Sequence, residues 1–158
     1  MDSQTIFRYY ASTWNRYGEL EDSEICISAN FDDPAAWPFT LKRFRYENDE
    51  CSFEQEKILE SEIKLPKALF CKLKGVIEMQ GELSDCPRQI DNQVMDGTDE
   101  TFYFVGDGFY KEVFGLCIYS TGAYEEQGGC AKTWNNVVYR AVKKIEDTLA
   151  EAGLALWG

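Results

Sequence analysis

The 158-residue sequence contains no histidine. Histidine is the usual general base near neutral pH and the commonest metal ligand, so its absence excludes Ser-His-Asp triads, Cys-His pairs and histidine metal sites. A serine-lysine or lone-cysteine mechanism stays open, although none of these residues lies in a recognisable activating motif. We therefore predict no catalytic residue, no cofactor and no metal.

Paired cysteine motifs are also missing. The six cysteines, at positions 26, 51, 71, 86, 117 and 130, are irregularly spaced and form no CxxC pair. Zinc sites normally take two ligands from one short motif, so this spacing disfavours a zinc site. In a reducing compartment isolated cysteines behave as small hydrophobic residues, and we expect these six to be buried.

Positive charge is scarce. Only 16 lysine and arginine residues accompany 28 aspartate and glutamate residues, which gives a net charge of −12. Phosphate backbones and anionic membranes both require a cationic face, so we expect neither nucleic acid nor a membrane as a partner. Long-range attraction instead favours a basic protein partner. The alternative is that the acidity only keeps the protein soluble.

The chain also lacks a long apolar run. No run approaches the roughly 20 residues that span a bilayer. Residues 1–10 do not show a basic stretch followed by an apolar one, the pattern of a secretory signal, so we expect a cytoplasmic protein. With 44% hydrophobic and 15% aromatic residues, the chain can build one aromatic-rich core, and we predict a single domain over residues 1–158.

Alternation of polar and apolar side chains predicts several strands. The clearest are residues 24–28, 40–47, 101–105 and 110–120. The apolar positions of residues 6–17 fit either helical spacing or a short twisted strand, and those of residues 51–65 fit neither period cleanly; we favour strand for both. A tight connection at 106–108 joins the last two clear strands into a hairpin, and residues 121–129 are predicted to form a mobile loop.

Two segments have the spacing of an amphipathic helix, at about residues 66–80 and 132–152. Pro66 suits a helix start, Thr133 is a candidate N-cap, and Gly153 is a typical stop. The order is thus strands, helix, strands, helix, with hairpin connections. This order predicts an α+β fold, a mostly antiparallel sheet with the two main helices packed on one face.

Clustered acidic side chains are the candidates for contacting a basic partner. They occur near residues 19–24, 47–62 and 125–126, and a tyrosine with little reason to be buried lies beside the last cluster. The candidate partner-binding residues are Glu19, Glu21, Asp22, Glu24, Glu54, Glu56, Tyr124, Glu125 and Glu126. Because the chain has 28 acids, an ordinary solvated acidic face is the alternative interpretation.

Three short segments carry a resemblance. They are LPKAL at residues 65–69, DGT at 96–98 and FYF at 102–104, followed by the amphipathic terminal helix. This succession resembles uncharacterised small bacterial α+β proteins, some of which are similar to toxin-immunity proteins. It covers roughly residues 65–152, and its motifs are structural, so the resemblance implies a binding protein and brings no catalytic residues with it.

Three functions are compatible with the sequence. The first is a non-enzymatic binding protein of the immunity or inhibitor type, which neutralises a basic protein such as a bacterial toxin. The second is a carboxylate-dependent hydrolase on a sugar or another uncharged substrate, which requires two converging carboxylates, one with a raised pKa. The third is an accessory protein that works through self-association, for which an exposed apolar patch would be the sign. The sequence does not fix the oligomeric state.

Overall fold

The computed structural model describes residues 3–14, 20–48, 55–93, 97–128 and 133–158. Within these residues, seven strands form one sheet in the order β4-β3-β2-β1-β6-β7-β5. The strands are β1 (Ser3–Trp14), β2 (Leu20–Asn30), β3 (Phe39–Asn48), β4 (Gln55–Lys64), β5 (Gln89–Ile90), β6 (Asp99–Gly106) and β7 (Phe109–Leu116). The helices are α1 (Lys67–Glu78), α2 (Ile118–Gln127) and α3 (Trp134–Glu151), with a short 3₁₀ helix at Gly81–Asp85.

All strand pairs are antiparallel except the short pair of β5 with β7. The α+β class and the mostly antiparallel sheet are thus confirmed. The strands predicted at residues 6–17 and 51–65 are also confirmed over their described parts, whereas residues 15–17 and 51–54 lie outside the described residues. β1 to β4 run consecutively as long hairpins and form one half of the sheet.

One side of the sheet carries the hydrophobic core. In β6, Phe102 and Phe104 are fully buried while the alternating residues Thr101 and Tyr103 are half-buried, so the two sides of the strand differ. Phe7 of β1 lies beside Phe104, and apolar residues of α1 and α3 belong to the same core cluster. We call the helix-covered side the core side and the opposite side the open side.

The two predicted helices are confirmed with slightly different ends. Pro66 immediately precedes α1, where its lack of an amide hydrogen has no consequence for the helix. Thr133 caps α3, since its Oγ1 accepts the amide of Asn136 at 3.2 Å. Gly153 follows α3 with a φ of +76°, a left-handed conformation that favours glycine at helix ends.

The segment after β7 corrects two predictions. The strand predicted over 110–120 ends at Leu116, and the loop predicted over 121–129 is mostly helix, because α2 occupies Ile118–Gln127. Its sequence, IYSTGAYEEQ, combines a glycine with β-branched and hydroxyl residues that have low helix propensity. Contacts with distant residues stabilise this helix, and they are described below with the site.

The cysteines also differ from the prediction. Cys86 is buried and Cys26 and Cys117 are half-buried, but Cys71 is exposed on α1, so burial is wrong for that residue. Cys71 occupies the outer face of the helix, whereas its neighbour Phe70 points into the core. The predicted burial of Cys51 and Cys130 falls outside the described residues.

Candidate functional site

The hairpins β1 to β4 form an open groove of about 470 Å³. Four acidic residues and one arginine are among its lining residues, so the groove is acidic. Its lining residues are Ala11, Thr13, Glu21, Asp22, Ser23, Arg45, Tyr46, Glu47 and Glu60.

Strand register explains why these residues meet. Ala11 pairs with Ser23, and Ser23 pairs with Arg45, so the three lie in one row across β1, β2 and β3. Ala11 is two residues beyond Tyr9, which packs against the core, so this row faces the core side. Ala11 and Ser23 are small, and they leave space where a larger side chain would fill the groove.

Arg45 is the one cation among the lining residues. Its Nη1 lies 2.6 Å from a carboxylate oxygen of Glu47, and its Nε lies 3.3 Å from one of Glu60. All three side chains are about half exposed, so these ion pairs contribute little to folding stability. Their effect is to fix the positions of two carboxylates, because the Arg45 guanidinium holds both Glu47 and Glu60 beside the groove.

Asp22 faces the open side of the sheet and is only 7% exposed. Its carboxylate accepts hydrogen bonds from Tyr10 Oη at 2.6 Å, Ser12 Oγ at 2.6 Å and Gln55 Nε2 at 2.9 Å. Burial opposes ionisation of this carboxyl, but the three hydrogen bonds outweigh burial and lower its pKa below the ordinary value. Asp22 is therefore an internal anion that links three strands.

Glu24 is still more enclosed on the same side, with 2% of its side chain exposed. It forms ion pairs with Arg8 of β1 and with Lys57 of β4, the latter at 2.6 Å. Each cation also lies over an aromatic ring, Arg8 at 5.4 Å from the centroid of Tyr103 and Lys57 at 4.1 Å from that of Phe44. Glu24 thus joins β1, β2 and β4 across the open side.

The candidate partner-binding residues of β2 and β4 are therefore separated by the structure. Glu21 is exposed and lines the groove, and Glu56 is exposed on β4. Asp22 and Glu24 are buried in polar networks, where their charges are already paired or hydrogen-bonded. Glu19 and Glu54 lie outside the described residues.

The remaining candidates are on α2. Tyr124 is 77% exposed, as expected from the sequence. Glu125 accepts a hydrogen bond from Thr133, and Glu126 accepts one from Asn136 at 2.7 Å and pairs with Arg140 at 2.9 Å. The hydrogen bond with Arg140 is the main cause of a lowered pKa for Glu126. The two glutamates thus fasten α2 to α3.

Glu100 is a buried carboxylate that the sequence analysis missed. It is 4% exposed on the core side and accepts Tyr9 Oη at 2.5 Å and the amide of Tyr119, at the start of α2, at 3.0 Å. Burial is the largest influence and raises its pKa, although the hydrogen bonds act in the opposite direction. Alternation in β6 puts Glu100 on the side of Phe102 and Phe104, which was a signal in the sequence, but it does not show the partners Tyr9 and Tyr119.

Sequence reasoning also missed Glu47, Glu60 and Arg45 as groove residues. The acidic stretch over 47–62 and the position of Arg45 in a strand were both visible. What brings them together is the pairing of β3 with β4, including a register shift after Arg43, and a shift of one residue moves a side chain to the other face.

Within the described residues, no group of three or more cysteine, aspartate and glutamate side chains is arranged to hold a metal ion. Of the helices described, none has the length and apolar character needed to cross a membrane. The chain matches no family model, and no curated protein shows significant similarity to it.

Proposed function

We propose that the protein is a non-enzymatic binding protein that receives a basic protein partner, in the manner of an inhibitor or immunity protein that neutralises a toxin. The observation that carries the proposal is the acid-lined groove, in which the carboxylates of Glu21, Glu47 and Glu60 accompany one arginine. A cationic side chain of a partner gains from several nearby carboxylates, and Glu47 and Glu60, which pair with Arg45, are still about half exposed.

The position of the groove identifies contact residues that differ from those predicted from the sequence. Glu21, Glu47 and Glu60 take the place of Asp22 and Glu24, since all three are exposed whereas the latter two are enclosed. Replacing Asp22 or Glu24 by lysine would put a cation beside buried groups and destabilise the sheet, so such variants report on folding rather than on binding.

The hydrolase alternative is less well supported. Asp22 is among the lining residues of the groove, but its carboxylate faces the open side and has a lowered pKa, whereas a general acid in glycoside hydrolysis needs a raised one. The raised pKa belongs to Glu100, which is not among the lining residues of the groove and whose oxygens accept hydrogen bonds from Tyr9 and α2. A position in the groove and a raised pKa, which the general acid of a hydrolase needs together, therefore occur on different residues.

A pull-down from the host lysate tests the proposal. Three baits are compared at low and high salt: the wild type, a groove variant (Glu21→Lys, Glu47→Lys, Glu60→Lys) and a control variant (Asp85→Lys, Asp107→Lys, Asp147→Lys). Both variants change the net charge equally, but the control residues do not line the groove. We expect the wild type and the control to capture the same basic protein at low salt, and the groove variant to lose it.

Two results would contradict the proposal. Equal capture by both variants would mean that net charge, rather than the groove, attracts the partner. Recovery of the bait alone from every sample would contradict the proposal that the protein binds a basic partner. Sedimentation of the purified protein would then test self-association instead.

A further inference from the structure

β4 is a long strand at the edge of the sheet. It has 10 residues, most of them exposed, and it pairs with β3 on its inner side. Among the residues that the structure describes, no strand pairs with its outer side. The opposite edge, β5, has only 2 residues. β4 therefore presents a longer open row of backbone donors and acceptors than β7, of which β5 pairs with only Phe114 and Gly115.

Register identifies which backbone groups point outward. The amide of Leu65, just after β4, donates to the carbonyl of Phe39 at 2.8 Å, so Leu65 faces β3. Residues of an antiparallel strand alternate between hydrogen-bonded and non-hydrogen-bonded positions. The backbone amide of Ile63 therefore also points towards β3, whereas the backbone amides of Glu62 and Lys64 point away from β3, towards the open edge.

Glutamates outnumber lysines among the charged side chains of this edge. Lys57 is turned inward, with its Nζ 2.6 Å from Glu24 and over the ring of Phe44. Glu56, Glu60 and Glu62 are exposed along the same strand, and Lys64 is at its end. A second copy of the chain would bring a like-charged strand against this one. An extended basic segment would instead bring charges of the opposite sign against β4.

We propose that β4 binds an extended, basic segment of the partner protein as an added strand. The inference rests on the proposed function and specifies how that partner is recognised. Backbone hydrogen bonds to β4 would hold the segment, and its lysine or arginine side chains would lie beside Glu56 and Glu60 on the core side or beside Glu62 on the open side. Glu60 also lines the groove, so the edge and the groove form one continuous acidic surface.

A synthetic peptide tests the added strand directly. The probe is a capped peptide of about eight alternating lysine and valine residues, a usual strand length. Its control is the same peptide with the central amides N-methylated, which keeps the charge and removes the backbone donors. We expect the N-methylated peptide to bind at least about tenfold more weakly in fluorescence anisotropy, because several backbone hydrogen bonds are lost.

Equal affinity of the two peptides would overturn strand addition, while the groove could still attract a basic partner through charge. Absence of binding by the unmethylated peptide at millimolar concentration would also overturn it. Neither result decides the proposed function, which the lysate experiment tests separately.

Two variants of one residue provide an independent test. Glu62→Ala and Glu62→Pro both remove the carboxylate, but only proline also removes the outward amide hydrogen. We expect the proline variant to bind the unmethylated peptide at least about tenfold more weakly than the alanine variant, if both have the same thermal midpoint. Equal affinities would contradict the inference. Where the proline variant unfolds, hydrogen exchange of the wild type decides: the peptide should protect the amides of Glu62 and Lys64, and unchanged exchange overturns the inference.

Discussion

Asp22 holds its negative charge inside the sheet by accepting three side-chain hydrogen bonds. Because its pKa in the folded protein lies below the ordinary value of about 3.9, its contribution to stability is present above that pH and is lost as the pH falls through the folded pKa. A change to asparagine keeps the shape but removes the charged acceptor. It also introduces two donors among groups that already donate.

We predict that Asp22→Asn lowers the free energy of unfolding at neutral pH by about 1–3 kcal/mol, the usual consequence of disrupting buried hydrogen bonds. The difference from the wild type should shrink in acid. Urea unfolding at neutral and acidic pH measures both effects. Glu56→Gln on the exposed edge serves as the control and should stay within about 0.5 kcal/mol of the wild type. Equal stability of Asp22→Asn and the wild type would contradict the role given to Asp22.

Glu100 should have the opposite pH dependence. Its folded pKa is raised, mainly by burial, so its contribution to stability is complete below the ordinary pKa of about 4.3 and is lost as the pH rises through the folded pKa. Glu100→Gln cannot ionise. We predict that this variant loses the decline in unfolding free energy with rising pH that the wild type shows just above pH 4.3. If the unfolding free energies of the two proteins changed in parallel with pH, Glu100 would not be the cause of the decline.

Single residues show where reasoning from the sequence reached its limit. The exposure of Tyr124 was predictable, because the residue lies in a polar segment without periodicity. The burial of Glu24 was not predictable, because the strand pattern gives the side of the sheet but not its neighbours. Arg8 and Lys57, which neutralise Glu24, come from two other strands, and only the assembled sheet brings them together.

α2 is the element most dependent on tertiary contacts. Its first turn donates to Glu100, and its last turn is held by Asn136 and Arg140 of α3. Between them, Gly122 lets the two helices approach closely: a Cβ atom there would lie 2.4 Å from the carbonyl oxygen of Asn135. A helix of low intrinsic propensity thus forms because its surroundings favour it.

This close approach predicts opposite effects for two glycine-to-alanine changes. Gly122→Ala should lower the unfolding free energy by about 1–3 kcal/mol, since the methyl group overpacks the contact with α3. Gly75→Ala in α1 should raise it by about 0.5–1 kcal/mol, because a Cβ there meets nothing within 4 Å and alanine is the better helix former. Thermal or urea unfolding of both variants measures the pair. Equal effects would contradict the packing described for α2.

The other elements were easier to predict because their local patterns agree with their surroundings. The strands at residues 24–28 and 40–47 alternate in the sequence as they do in the sheet, and α3 has both an apolar face and a capping threonine. α2 has neither a clear period nor a strong cap, so its sequence was interpreted as the end of a strand and a loop. Contacts with β6 and α3, rather than its own sequence, stabilise this helix.

At the scale of the whole molecule, the proposed function combines the net charge of −12, which would attract a basic protein from a distance, with the groove and β4, where that protein would bind. Attraction between exposed charges is screened beyond about 10 Å at 0.1 M salt, so it mainly increases the association rate at low ionic strength. The groove was not predictable as a whole. Its acids come from three strands whose register the sequence does not specify.

The most direct test of this account is the association rate of the captured partner with the wild type, the groove variant and the control variant, measured by stopped flow over a series of salt concentrations. We predict that the groove variant associates at least about tenfold more slowly at low salt and depends less on salt, while the control stays close to the wild type. Equal rates and equal salt dependence for the groove variant and the control would contradict the claim that the groove receives the partner.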